Sequence, residues 1–437
     1  MVLLKSLLAL AAACLPVVSS RHVFAHVVVG NTAAHTVDTW KTDINLAAEA
    51  GIDAFALNIA YPDSNIPTQV ANAFQAAEEL HTSNGTGFTL FFSFDYLGGG
   101  SPWNAVGDES VESYMNKYKS SSAYFLYNGL PFVSTFEGTG NMQDWAAGGE
   151  IRSAVGDVYF VPDWTSLGAS GIGAALPDIE GHFSWDMWPT GANDMTTAND
   201  LAWQSAVSPK TYMMGVSPWF FHSTEGSQDW VWRGDDLWAD RWQQVMEVKP
   251  DFVEIVTWND FGEAHYIGPV HAEEEIAAGS HIYVADMPHD SWRDLLPYYI
   301  SQYKGTNHTI SEDKMQYWYR TSPVSGGLLG TVTGNVANLG QETVSPDQIM
   351  QDKVFFSALL KQDATVTVQI GDNEAVSYQG TKGINHWSQP FDGQTGAVEF
   401  TVLRQGQVVK SGTGAEITAT TTLSNGLTNF NTWVGGC

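Results

Sequence analysis

The sequence predicts a (β/α)8 TIM-type barrel followed by a C-terminal all-β sandwich, and three observations carry that prediction. Apolar runs alternate with helix-like stretches from Arg21 to about Tyr319. After about Arg320 the helical patterns stop, and Gly, Thr, Val and Ser dominate. Acids and aromatics collect just beyond the ends of the apolar runs.

The runs are HVFAHVVV (22–29), DAFALNI (53–59), FTLFFSF (88–94), PFVSTFE (131–137), VYFVPDW (158–164), GHFSWD (181–186), YMMGVSP (212–218) and FVEIVTW (252–258). Their near-continuous apolar character suits strands of a parallel sheet covered on both faces. Between them stand candidate helices such as DTWKTDINLAAEA, stopped by Gly51, and DLWADRWQQVMEV, stopped before Lys249-Pro250. Alternation of this kind over 21–320 argues for βα units and a barrel. The later runs KVFFSALL, ATVTVQIG, AVEFTVLR and AEITATTTL read as strands of an antiparallel sandwich over 321–437.

The first residues, MVLLKSLLALAAACLPVVSS, combine one lysine, a short apolar stretch and small residues near Ser20. We read 1–20 as a secretory signal, too short in its apolar part to span a bilayer. A secreted protein, extracellular or in the cell wall, is therefore expected. Of the two cysteines, Cys14 leaves with that leader and Cys437 remains, so neither an internal disulfide nor a cysteine zinc site is expected. The balance of 19 Lys and Arg against 48 Asp and Glu repels nucleic acid and anionic membrane. The 17 Trp, 16 Tyr and 21 Phe suit flat platforms for sugar rings as well as an aromatic core.

Active sites of such barrels form at the C-terminal strand ends. The polar residues there are His26 and Asn31, Asn58, Asp95 and Tyr96, Glu137, Asp163 and Trp164, Asp186 and Trp188, Ser217 and Trp219, then Trp258, Asn259, Asp260 and Glu263. No nucleophile elbow, P-loop or dinucleotide fingerprint accompanies them. Several carboxylates among aromatics are the parts of a glycosidase, in which one acid protonates the leaving oxygen and another carboxylate attacks or activates water. Asp260 and Glu263, three apart in TWNDFGEAHYIGP, are the sharpest pair. By residue type alone such a pair is more often a helix cap, a loop ligand or salt-bridge partners than a catalytic dyad, and Trp188, Trp219, Trp230 and Trp232 read equally as loop packing. His26, His222 and His265 read as hydrogen-bonding pocket residues; no HExxH-like spacing supports a metal.

FAHVVVGN, GIDAFALNIA, LFFSFDY, WPTGAND, YMMGVSPWFF, WRGDDLWADRW and TWNDFGEAHYIGP, in that order, resemble glycoside hydrolase family 71, the fungal α-1,3-glucanases or mutanases. The resemblance implies an inverting hydrolase of α-1,3-glucan without cofactor or metal, with Glu263 as general acid and Asp260 as general base. By their position at the strand ends, Asn58, Asp95, Tyr96, Glu137, Asp163, Asp186, Trp188, Trp219, Trp258 and His265 are then expected along the sugar-binding cleft. The expected partner is the polysaccharide, and the expected state a monomer. A wall-glucan-binding protein without turnover, or a glycosidase of another linkage, are the alternatives.

Overall fold

The computed structural model describes residues 21–223, 229–329, 332–333, 344–420, 422–424 and 426–437. The expected leader, 1–20, lies outside them. The first half is one curled parallel sheet. Its strands are β1 (His22–Val28), β2 (Ala54–Ala60), β3 (Thr89–Asp95), β4 (Leu130–Phe136), β5 (Tyr159–Phe160), β6 (Gly181–Ser184), β7 (Thr211–Val216) and β8 (Phe252–Ile255). Each coincides with one predicted run; four lie inside it, and the strands at 54–60, 89–95, 130–136 and 211–216 pass its end by one residue. Hydrogen-bonded neighbours run β5–β4–β3–β2–β1–β8–β7–β6.

The ring is not closed by a ladder. Between β5 and β6 there is only the bridge Asp163↔Phe183, with Phe160 O accepting from Glu180 N–H (2.8 Å) and Pro162 O from Phe183 N–H (2.9 Å). The predicted seven-residue run at 158–164 yields two strand residues because Pro162 has no N–H to give to a ladder.

Outside the sheet lie α1 (Val37–Glu49), α2 (Ile66–Asn84), α3 (Val111–Tyr118), α4 (Glu150–Val155), α5 (Ala198–Val207), α6 (Leu237–Val248) and α7 (Leu296–Lys304). Local chemistry sets their ends. Thr36 and Thr39 form a reciprocal cap at the start of α1, and Gly51, at φ +90°, follows its end. At the end of α6, Lys249 takes the left-handed conformation and Pro250 blocks continuation. The β5 unit has three short 3-10 turns between Thr165 and Asp178 in place of a helix.

Inside the curl, the N-terminal half is filled by rings packed mostly edge to face: Phe24 on Phe91 (4.9 Å), Phe91 on Phe132 (4.8 Å) and Phe132 on Phe252 (5.3 Å). This plug leaves the C-terminal mouth as the end where a ligand can enter.

The β-rich half opens with Lys314–Tyr319, seven residues ahead of 321. We label it β9, followed by β10 (Lys353–Leu360), β11 (Ala364–Ile370), β12 (Val376–Gly380), β13 (Gly383–Pro390), β14 (Gly396–Arg404), β15 (Gln407–Ile417) and β16 (Trp433–Gly436). Two antiparallel sheets result, ordered β13–β10–β9–β16 and β12–β11–β14–β15. They enclose a second core that includes Phe356, Val366, Phe400 and Val402. AEITATTTL is not an independent strand; its first residues end β15.

The two halves share buried contacts. Trp318 on β9 donates its indole N–H to Asp235 O (2.7 Å) and packs on Trp292 (5.0 Å). His289 stacks on Tyr266 at 3.9 Å; its Nδ1 lies 3.0 Å from Tyr266 O, and its Nε2 lies 3.0 Å from Thr432 O and 3.1 Å from Asn431 Oδ1, with the single N–H of the neutral ring serving one side or the other. Burial pushes the His289 pKa down to about 4. A folded-state pKa below the unfolded value of about 6.5 means that the unfolded chain binds more protons between those limits. Stability from neutral His289 is complete above about pH 6.5, and falls as pH drops towards 4, by about 3 kcal/mol in all. Urea midpoints measured from pH 7 to 4 should show this loss, and His289→Gln, with no proton to gain, should flatten the slope.

Candidate active site

The segment after β8 doubles back on itself. Thr257 N–H donates to His265 O (3.1 Å), Ile267 N–H to Thr257 O (3.0 Å) and Gly268 N–H to Trp258 O (2.7 Å). Only glycine fits at 268, because a Cβ there would stand 2.6 Å from the Trp258 indole nitrogen and carbonyl. Asn259 fastens the loop to β1: its Oδ1 accepts from Val28 N–H (2.8 Å) and its Nδ2 donates to Val28 O (3.0 Å).

That frame leaves the two acids little freedom of backbone. Asp260 N–H donates to Thr257 Oγ1 (2.8 Å), and Asp260 Oδ1 accepts from Glu263 N–H (3.0 Å). His265 links the same parts, with Nε2 at 2.9 Å from Glu263 Oε2 and Nδ1 at 3.0 Å from Thr257 Oγ1. One oxygen of Asp260, one of Glu263 and one His265 nitrogen lie within 4.8 Å of one another. Burial, and next the charge of Glu263, raise the Asp260 pKa above the ordinary carboxylate value; His265 acts in the other direction. Glu263 keeps a side chain 35% exposed, facing the opening.

The acids open into a cleft of about 280 Å³. Asn58, Asp95, Trp188 and His265 line it with them, as the sequence led us to expect. His26, Phe136, Trp185, Phe220, Trp230, Trp232 and Thr257 complete the wall. Asp95 is held by N–H groups of Leu97 (2.8 Å) and Gly98 (2.6 Å) and by Asn58 Nδ2 (3.4 Å). Trp188 and Trp232 stack at 4.9 Å, and Trp188 and Phe220 both stand within 6 Å of the His265 ring. His26 is oriented by Glu254, 2.7 Å from its Nδ1, and both side chains are buried.

Six expected cleft residues are placed elsewhere. Tyr96 is buried and accepts a hydrogen bond from the Trp145 indole (3.0 Å). Trp219 is buried, donating to Phe430 O (2.9 Å). Trp258 is buried against Phe55 at 5.1 Å. Glu137 binds Ser166, at 3.1 Å through N–H and 2.5 Å through the hydroxyl. Asp163 lies fully buried in the seam with one oxygen bound to Thr165; burial and then Glu137 raise its pKa well above the usual range. Asp186 accepts from Asn199 (2.7 Å) and the Trp203 indole (2.8 Å), and lines a groove next to the cleft that shares Trp188 with it.

Trp185 and Phe220 were missed because a strand end fixes the rim but not which side chain turns inward. β6 stops at Ser184, so Trp185 is the first residue at the mouth. A larger cavity, about 640 Å³, lies between α6, α7 and β13, and none of the strand-end acids lines it.

The whole described chain matches one family model: residues 19–437 fit glycosyl hydrolase family 71. The chain belongs to that family. Family relatives include a glucan endo-1,3-alpha-glucosidase of Schizosaccharomyces pombe, 35% identical over 95% of each chain. A mutanase of Penicillium rubens is 35% identical over 95% of this chain and 88% of its own. Among solved structures, an endo-alpha-mannosidase of Bacteroides thetaiotaomicron aligns at a TM-score of 0.45 and 16% identity, over 64% of this chain and 82% of its own.

The buried His26–Glu254 contact supplies a check on how this family member holds its cleft floor. Glu254→Ala leaves the imidazole without its acceptor and should cost about 3 kcal/mol in urea unfolding. Glu254→Gln keeps an acceptor oxygen and should cost much less.

Proposed function

We propose that this protein is a secreted glucanase that hydrolyses α-1,3-glucosidic bonds inside α-1,3-glucan chains and inverts the anomeric centre. The observation that carries the reading is the Asp260–Glu263 pair, opening into an aromatic-walled cleft in a family 71 chain. We take the curled sheet as a (β/α)8 barrel with an irregular seam at Pro162, and the β-rich half as an accessory domain without the cleft. Further sugar units would lie over Trp188 and along the neighbouring groove with Asp186 and Asn199, an arrangement suited to a chain entering at both ends. A monomer in the cell wall or medium, with no cofactor, fits this reading.

Inversion needs about 6.5–9.5 Å between the two carboxyl groups, so that a water fits between them. The nearest oxygens of Asp260 and Glu263 are within 4.8 Å. One carboxyl must therefore turn away when sugar enters, and Glu263, part exposed and held by His265, has the room. The raised Asp260 pKa favours that carboxyl as the holder of the proton at rest, the reverse of the order implied by resemblance. Turnover that needs this proton falls as pH climbs through the Asp260 pKa.

Asp95 gives a second reading of the base. It stands three strand-to-strand steps from β8, roughly 14 Å along the sheet before the side chains reach inward, on the far wall of the same cleft. There it can orient a water on the face opposite the Asp260–Glu263 pair.

Proton NMR of α-1,3-glucan hydrolysis tests the reading. Wild type should release the β-anomer first, with Asp260→Asn and Glu263→Gln each reducing kcat by about 10²–10⁴-fold while remaining folded. An α-anomer would make one of the two a nucleophile instead. A comparable loss in Asp95→Asn would assign water activation across the cleft, and normal turnover in it would leave that role within the pair.

A further inference from the structure

Two carboxylates are buried away from the cleft with no Lys or Arg ion-paired to them among the described residues. Asp43 on α1 is 1% exposed and Glu275, in the turn Glu273–Glu275, is 3% exposed. Their partners are two histidines. Glu275 Oε1 lies 2.9 Å from His35 Nε2, Glu275 Oε2 accepts the backbone N–H of His271 (3.0 Å), and Asp43 Oδ1 lies 2.7 Å from His271 Nε2.

The remaining nitrogen, His35 Nδ1, is buried without a hydrogen-bond partner. It points at Asp43 Oδ2 from 3.8 Å, too far for a hydrogen bond. Because Glu275 takes the Nε2 proton, a neutral His35 turns a lone pair towards a carboxylate oxygen, an arrangement that repels unless something positive lies between. Ligands sharing a tetrahedral zinc ion with bonds of 2.0–2.1 Å stand about 3.4 Å apart. His35, Asp43 and His271 each offer one atom to such a point, all within 4.8 Å of one another. The Glu275–His35 contact is then the outer carboxylate that orients a metal-bound imidazole. His271 Nε2 and Asp43 Oδ1 stand 2.7 Å apart as a hydrogen bond, so an ion entering here displaces that proton and moves the two atoms apart to the ligand spacing.

We propose that His35 Nδ1, Asp43 and His271 Nε2 bind one divalent cation of the zinc class, with water as the fourth ligand at the rim, where the His271 side chain is 23% exposed. The ion would tie the segment after β1 and the middle of α1 to the loop that leaves the acid-bearing segment. The sequence shows no metal motif here because the third ligand, His271, lies 228 residues from Asp43.

The test uses chelator-stripped full-length protein, with Zn²⁺ as the probe. Metal counting and calorimetry should give one tight ion per chain, and Zn²⁺ in excess should raise Tm by about 5 °C. His271→Gln, at the rim, should lose both effects with unchanged circular dichroism, and His271→Cys should regain the ion. Asp260→Asn and Glu263→Gln should keep it, which separates this cluster from the acids and His265. Absence of a bound ion in wild type, an ion that persists in His271→Gln, or one lost in Glu263→Gln would each overturn the proposal; the first would make His35 an imidazolium held between two carboxylates.

Discussion

The Asn259 side chain, bonded at both ends to the Val28 backbone, is the constraint on which the acid-bearing mouth depends. It replaces a stretch of sheet ladder just where the eighth strand stops, so the chain can turn back while still registered on the first strand. Everything chemically interesting hangs from that point: Thr257 receives the Asp260 N–H, Asp260 receives the Glu263 N–H, and His265 joins Glu263 to Thr257. A loop whose polar groups are spent on one another holds its acids in place without a surrounding helix.

The same economy of positions explains the charge behaviour of the pair. Asp260 is the inner acid, with the loop around it and Glu263 beside it, and both effects resist its ionisation. Glu263 is the outer acid, bonded through His265 but open to the cleft. Two acids three residues apart thus sit at different depths, and burial together with the neighbouring Glu263 charge sets Asp260 apart from an ordinary surface carboxyl.

Much of this was legible in the sequence. The apolar runs located all eight parallel strands, since strands buried on both faces cannot avoid a continuous apolar record. The acid pair was legible as a pair, but by residue type it suits a helix cap or salt bridge as well, and only the ordered motifs around it single it out. What sequence could not supply was facing. Asp95 enters the cleft while the next residue, Tyr96, turns to Trp145, as the two-residue alternation of a strand demands. Trp219 and Trp258 have the right address along the chain and the wrong direction, and Trp185 was passed over for its neighbours. The seam was hidden for a different reason: VYFVPDW reads as a strand by apolarity, and only the missing N–H of Pro162 says otherwise.

The C-terminal tail enters this picture through His289, Trp219 and their partners Phe430 to Thr432. Trp219 reaches its acceptor across 211 positions of sequence, and His289 joins that tail to the back of the Tyr266 ring, in the segment that carries the acids. During synthesis the acid-bearing loop therefore leaves the ribosome long before the residues that brace it exist. A chain interrupted before Phe430 would own every cleft residue and lack the acceptors that Trp219 and His289 use, so the bracing of the acid-bearing loop is completed only when the last residues of the chain are made.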